Sequence, residues 1–316
     1  MISALLLAIY AVTAGTLGAG WLREAHWPRL APRMAIVAWQ ALAASVLLAL
    51  AAAGLALAIS FPHVRSDLAR LLHLCAENLQ HGYASPGGTM TAVAGVALFL
   101  GLLARVSWCA VRAVILDRRD RNSRVAILDL VGRTDVLPGA LVLDHQAPYA
   151  FCVGGRRHRV VVTSGLLANL NADEVDAVLA HEHAHLRQRH HVALVACRAL
   201  FGALAPTFPA FCRAMPQVRL FAELSADDSA RRRVGARPLR QALTTLACLP
   251  APAGALAASA HDVQTRLLRL DGQHRQLTRR GSALAAAGIG AVILVPLGLA
   301  SAPALALAWE GICLLG

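Results

Sequence analysis

The sequence predicts a mostly α-helical, multi-pass membrane protein: four transmembrane helices, with one α+β domain inserted before the last. Three observations predict it. The mean hydropathy is +0.55, with 57% hydrophobic and only 15% charged residues, which is too apolar for an ordinary soluble domain. Four apolar runs, 2–22, 34–61, 89–116 and 282–309, are each long enough to cross a hydrocarbon core of about 30 Å. Between the third and the fourth lies a polar region, 117–281, of 165 residues, enough for one compact core. The layout is therefore 1–116 with three spans, 117–281 as the inserted domain, and 282–316 as the fourth span with a short C-terminus.

The first run has no basic residue before it, and Arg23, Arg29 and Arg33 follow it. That order is wrong for a signal peptide and favours an uncleaved span with its N-terminus outside. After the second run, the 62–88 loop balances Arg65 and Arg70 against Asp67 and Glu77. After the third comes Asp117-Arg-Arg-Asp-Arg-Asn-Ser-Arg124, and Arg275, Arg279 and Arg280 precede the fourth. The positive-inside rule then puts the 23–33 loop and the whole 117–281 region in the cytoplasm of a plasma-membrane protein, with both termini extracytoplasmic. The net charge is +12, and all thirty basic residues are Arg. Nucleic-acid binding is one reading of that charge. The Arg residues flank the apolar runs, however, so the bilayer is the expected partner and no direct nucleic-acid contact is expected.

Within the inserted domain, Ala140–Asp144 and Arg159–Thr163 are rich in branched residues and read as strands. Ala150-Phe-Cys-Val153 lies between them and runs into Gly154-Gly155, a turn signal. Asn171-Ala-Asp-Glu174 reads as a capped helix start, Asn171 capping and Glu174 at the third helical position. The helix is expected to continue to about residue 200. On it lies His181-Glu182-x-x-His185. Residues four apart share a helix face, so His181 and His185 can aim two imidazoles at one ion. Glu182 lies about 100° round the helix, within reach of a water on that ion. This is the zinc-hydrolase pattern of two ligands and a carboxylate base, and it makes the domain zincin-like. His183 is rotated about 200° from His181 and is not expected to be a ligand. His190 and His191 are expected at the surface, just past the site. The seven Cys contain no C-x-x-C pair, so a thiolate zinc site is not expected.

A catalytic zinc takes three protein ligands. Glu223-Leu-Ser-Ala-Asp227 supplies the best downstream pair, one turn apart on a predicted helix over 218–233. Glu223 is the expected third ligand. Asp227 is expected to accept a hydrogen bond from a ligand imidazole and fix its tautomer. The apolar segment 192–215 tempts a fifth crossing. A single crossing would put Glu223 on the wrong side of the membrane from His181. The segment must be a core helix, a hairpin that returns, or a surface-lying stretch. Arg198, Pro206 and Pro209 agree with a broken path.

The stretches Ala147–Gly155, Val160–Leu167 and Asp173–Leu186, with Glu223-x-x-x-Asp227, resemble the BlaR/MecR family of membrane zinc metallopeptidases. The HtpX and CAAX-processing peptidases share the pattern more distantly. The resemblance covers roughly 117–240 and implies a gluzincin endopeptidase. It implies one Zn²⁺ per chain on His181, His185 and Glu223, with Glu182 as general base. It also implies a protein substrate, a cytoplasmic transcriptional repressor in a cell-envelope or antibiotic response. HtpX-like quality control of membrane proteins is the alternative, and an inactive membrane scaffold or receptor is a further one. The penicillin-binding sensor domain of the known antibiotic sensors is expected to be missing, and a chain without Lys has no Ser-x-x-Lys nucleophile. Ala150, Phe151, Cys152 and Val153 are expected to bind the substrate peptide by β-addition. Arg231, Arg232 and His261 are the candidate oxyanion donors, and the sequence does not choose among them.

Overall fold

A computed structural model describes residues 2–58, 88–131, 133, 137–155, 158–249, 260–271 and 277–313. The 62–87 part of the predicted loop lies outside the described residues. Among the described residues, four helices are long and apolar enough to cross a membrane: Ile2–Glu24, Pro32–Ala58, Thr89–Leu128 and Arg279–Ala302. They confirm the multi-pass, mostly helical architecture. In chain order the helices are α1 (Ile2–Glu24), α2 (Trp27–Leu30), α3 (Pro32–Ala58) and α4 (Gly88–Val131). After the sheet come α5 (Ser164–Asn169), α6 (Ala172–Arg187), α7 (His190–Leu204), α8 (Pro209–Val234), α9 (Ala236–Cys248), α10 (Ala260–Leu270) and α11 (Arg279–Cys313).

The third span does not stop at residue 116. α4 runs on for 44 residues in all, about 66 Å at 1.5 Å per residue. Its polar end is held by Asp117–Arg121 at 2.8 Å and Asp120–Arg124 at 3.0 Å, ion pairs at the i,i+4 spacing that supports a helix. α3 and α4 touch backbone to backbone where two glycines meet. A Cβ on Gly95 would lie 2.6 Å from the Gly54 carbonyl oxygen. Small residues permit this close approach in a membrane.

The segment 192–215 is a returning hairpin. α7 enters the bundle, the chain turns through Ala205–Phe208, and α8 comes back. Phe201, Leu204, Phe208 and Phe211 are buried with Leu7, Trp39 and Val46 of the spans in one core. Trp39 meets Phe201 and Phe211 edge-on at 6.2 Å each, a favoured aromatic arrangement. The hairpin tip is seated on α1: a Cβ on Gly15, within the π-helical stretch Ala14–Gly18, would lie 2.6 Å from the Phe208 ring. A helix that ends inside a bundle leaves carbonyls without partners. Arg105 of α4 supplies them, its Nε donating to Ala203 O and Nη2 to Gly202 O, both at 2.8 Å.

The predicted strands form. β1 (Leu141–Leu143), β2 (Ala150–Val153) and β3 (Arg159–Thr163) make a sheet of order β1-β3-β2. β1 pairs parallel to β3, Leu141 opposite Val161. β2 pairs antiparallel, Ala150 opposite Val162 and Val153 opposite Arg159. Val142, Val160 and Val162 on one sheet face pack with Leu166, Val175 and Val178, which seats α6 against the sheet. β2 is the edge strand on the side of that helix.

The expected helix from 172 to about 200 is broken. Arg189 adopts a left-handed conformation, φ 51° and ψ 41°, unusual for a non-glycine residue. It ends α6 and starts α7 in a new direction. This turn lets the hairpin descend from the end of α6.

Candidate metal centre

α6 begins as expected: Asn171 Oδ1 accepts from Glu174 N–H, and Glu174 Oε2 accepts from Asn171 N–H, both at 3.0 Å. This reciprocal cap fixes the start of the helix that carries the histidines. One turn before its end, His181 and His185 bring their Nε2 atoms to 3.0 Å. Glu223 of α8 comes up from the returning hairpin. Its Oε2 lies 3.2 Å from His181 Nε2 and its Oε1 3.4 Å from His185 Nε2. These three side chains form the one group among the described residues able to hold a metal ion. The spacing fits zinc. A tetrahedron with bonds of about 2.05 Å has edges of about 3.3 Å, and the three measured separations fall within a few tenths of that.

A second layer of groups holds the first. His181 Nδ1 lies 2.9 Å from Asp227 Oδ1, though it makes no in-line hydrogen bond there. Asp227 is 2% exposed and is gripped by Arg266 of α10, Nε to Oδ2 and Nη2 to Oδ1, both at 2.8 Å. Arg266 Nη1 also lies 3.3 Å from Glu223 Oε2. On the other flank, His190 Nδ1 lies 2.9 Å from His185 Nδ1, and His190 Nε2 lies 2.8 Å from Gln188 Oε1. The Gln188 oxygen also accepts from Ser225 Oγ and from Arg33 Nε at 3.0 Å. A carboxamide oxygen can only accept, so His190 carries its hydrogen on Nε2. Its bare Nδ1 must then accept from His185 Nδ1–H. That leaves the His185 Nε2 lone pair facing Glu223 and His181, the tautomer a metal needs.

The electrostatics agree. Burial of His190, then the neighbouring His185, push its pKa down to about 3, so it stays neutral. Burial alone would lower the His181 imidazole too, but Asp227 and Glu223 outweigh it and raise its pKa to about 10. Glu223 keeps 36% of its side-chain surface open. Burial works against its charge, but His185, His181 and Arg266 together hold its carboxyl well below the usual range. Burial also raises Asp227, yet Arg266 and His181 win and bring it to about 2. The centre is thus an anionic pocket that takes up a cation, a proton or a metal.

Burial, then the Glu182 carboxylate to which it donates, raise the Cys152 thiol well above its ordinary value. The edge strand β2 is therefore in touch with Glu182. Two expectations need correction. His190 is not at the surface: it is 4% exposed, because the Arg189 turn folds it back over His185. His191 is half-buried, and its ring fills the space beside Gly154. Arg266, which no sequence pattern singled out, also reaches the site, through Asp227 and Glu223. Arg231 and Arg232 make no contact with His181, His185 or Glu223 among the described ion pairs, and the His261 side chain lies outside the described residues. His183 turns away as expected, its Nδ1 2.7 Å from Leu179 O.

Two histidines one turn apart, with Glu182 between them, and a carboxylate from a later helix make up a candidate metal centre. Residues 124–257, which contain His181, Glu182, His185, His190, Glu223 and Asp227 but not Arg33 or Arg266, match the family model described as Peptidase family M48. The chain is 34% identical over 103 residues to a protease HtpX homolog of Thermococcus kodakarensis, covering 31% of this chain and 35% of that one. It is 32% identical over 129 residues to protease HtpX of Yersinia pestis and to that of Yersinia pseudotuberculosis, covering 38% of this chain and 41% of theirs. The matched stretch thus spans between a third and two fifths of these curated relatives. No solved structure matches the chain. The similarity to these proteases falls on the stretch that carries His181, His185 and Glu223.

Proposed function

We propose that the protein is a zinc endopeptidase that cuts extended polypeptide next to the membrane surface. The observation that carries it is the triangle of His181, His185 and Glu223 at tetrahedral spacing, with Glu182 beside an unpaired strand edge. His181, His185 and Glu223 would hold the ion, which supplies Lewis acidity and a water of pKa near 7. Glu182 accepts the proton of the attacking water and returns it to the departing amine. A substrate strand adds to the free edge of β2 at Ala150–Val153, which lays its backbone along α6. Arg266 does not face the substrate directly; it holds Asp227 and Glu223 in place.

The site is at the membrane surface. Arg33, in the first turn of the second span, bonds Gln188, three residues past His185. The basic segments flanking the spans support a cytoplasmic location for this face, with both termini outside. Two substrate readings share this chemistry. One is a cytoplasmic repressor in a cell-envelope response, by resemblance to BlaR/MecR. The other is a membrane protein under quality control, and the similarity to proteases named HtpX favours it. The test is cleavage of a co-expressed repressor and of a misfolded multi-pass protein by the wild type and Glu182→Gln. Cleavage of either only by the wild type supports a peptidase and chooses the substrate. Equal products with both enzymes refute the assignment and leave a scaffold or receptor.

A further inference from the structure

α11 leaves a groove against α1, α2 and α3. Its volume is about 450 Å³, and every lining side chain is apolar. Trp21, Trp27 and Leu42 form one wall; Leu284, Gly288 and Val292 form the other. From Gly281 to Val292 it runs about 16 Å at 1.5 Å per residue. That is the depth of one leaflet, half of a hydrocarbon core of about 30 Å. The floor is closed by a specific bond. Pro296 has no N–H to give to the Val292 carbonyl, and Tyr10 Oη donates to that oxygen at 2.6 Å.

The open end changes character. Leu277 lines both the groove and a second cavity of about 440 Å³, lined also by Arg33, Ser225, Asp228, Arg232 and Ser282 among others. Asp228 is already neutralised by Arg269 at 2.7 Å. Arg33, which lines this cavity, is held through Nε on Gln188 and Ser225. Arg232 is exposed. Arg279 and Arg280, also exposed, stand in the first turn of α11. Trp21 and Trp27 mark this end as interfacial.

We propose that the two adjacent cavities bind one anionic phospholipid, an acyl chain along α11 and the phosphate between Arg33 and Arg232. Basic pockets between spans at the cytoplasmic surface select such headgroups. A zwitterionic lipid offers the same chain but carries its own cation to these arginines. The site has a consequence for the metal centre, because Arg33 also holds Gln188, which orients His190 and through it His185. A bound phosphate would fix the guanidinium that anchors this chain. The lipid site itself does not depend on the peptidase reading.

The test uses the full-length protein in detergent, titrated with dioleoyl-phosphatidylglycerol or dioleoyl-phosphatidylcholine and read by native mass spectrometry. One phosphatidylglycerol per chain is expected to be retained in clear preference to phosphatidylcholine. Arg232→Gln should weaken that preference about fivefold, the contribution of one basic side chain near an anionic surface. Gly288→Phe, which fills the groove where a side chain meets only open space, should abolish retention of both lipids. A thermal melt matching the wild type shows that each variant is folded; a variant that melts early is replaced by Gly288→Leu or Arg280→Gln. Equal retention of the two lipids by the wild type overturns the proposal. So does phosphatidylglycerol retention that neither substitution changes, or a protein dimer that Gly288→Phe dissolves with no lipid lost.

Discussion

Lowering the pH should drive zinc off His181, and the structure sets how steeply. In the metal-free centre Asp227 and Glu223 hold a proton on this imidazole with a pKa of about 10. Zinc requires the neutral ring, so at every pH below 10 the ion must displace that proton. The folded value lies above the ordinary 6.5, so the proton is favoured as pH falls and the metal as it rises. At pH 7 the competition spans about three pH units, or roughly 4 kcal/mol at 1.36 kcal/mol per unit. Apparent zinc affinity should therefore rise about tenfold per pH unit between 7.5 and 9, with about one proton released per ion. Competition against a fluorescent chelator, corrected for the chelator's own protonation, reads the affinity. Calorimetry in two buffers of different ionisation enthalpy counts the proton. Affinity independent of pH over this range, with no proton released, would refute the reasoning that the two carboxylates act on His181.

Other substitutions separate the roles. Glu182→Gln should lower peptide hydrolysis by about 10²- to 10⁴-fold, the usual contribution of a positioned base, with zinc content by elemental analysis unchanged. His190→Ala touches no ligand position yet should weaken zinc binding about 10- to 100-fold, the usual cost of losing an outer partner of a ligand; the same chelator competition measures it. Arg266→Ala leaves Asp227 charged and buried, so chemical denaturation of the detergent-solubilised apoprotein should show a loss of about 3–5 kcal/mol. Asp227→Asn combined with Arg266→Met should lose much less, because no buried charge is then left alone.

Much of this was legible in the sequence, for reasons that are local. The branched runs at Ala150–Val153 and Arg159–Thr163 became strands over the same residues. The Asn171/Glu174 cap formed because both bonds lie within one helical turn. His181 and His185 followed from helix spacing. Glu223 followed from the need for a third ligand, which also required the 192–215 segment to return. What escaped depends on contacts between distant segments. No glycine marks the break at Arg189; its left-handed turn is imposed by the packing of α7 into the bundle. Once that turn is made, His190 points inward, which no pattern in a His-rich stretch could show. Arg266 is one of thirty basic residues and lies 39 positions from its partner, in a helix whose packing alone brings it to Asp227. The third span ran past its apolar segment because Asp–Arg pairs carry the helix on after the hydropathy has ended.

X-ray absorption at the zinc edge of the purified, zinc-loaded full-length protein tests the centre most directly. The account predicts one zinc per chain with a first shell of only nitrogen and oxygen at about 2.0–2.1 Å, including scattering from two imidazoles. A sulfur neighbour at about 2.3 Å, a single imidazole, or a shell unchanged by Glu223→Ala would contradict it.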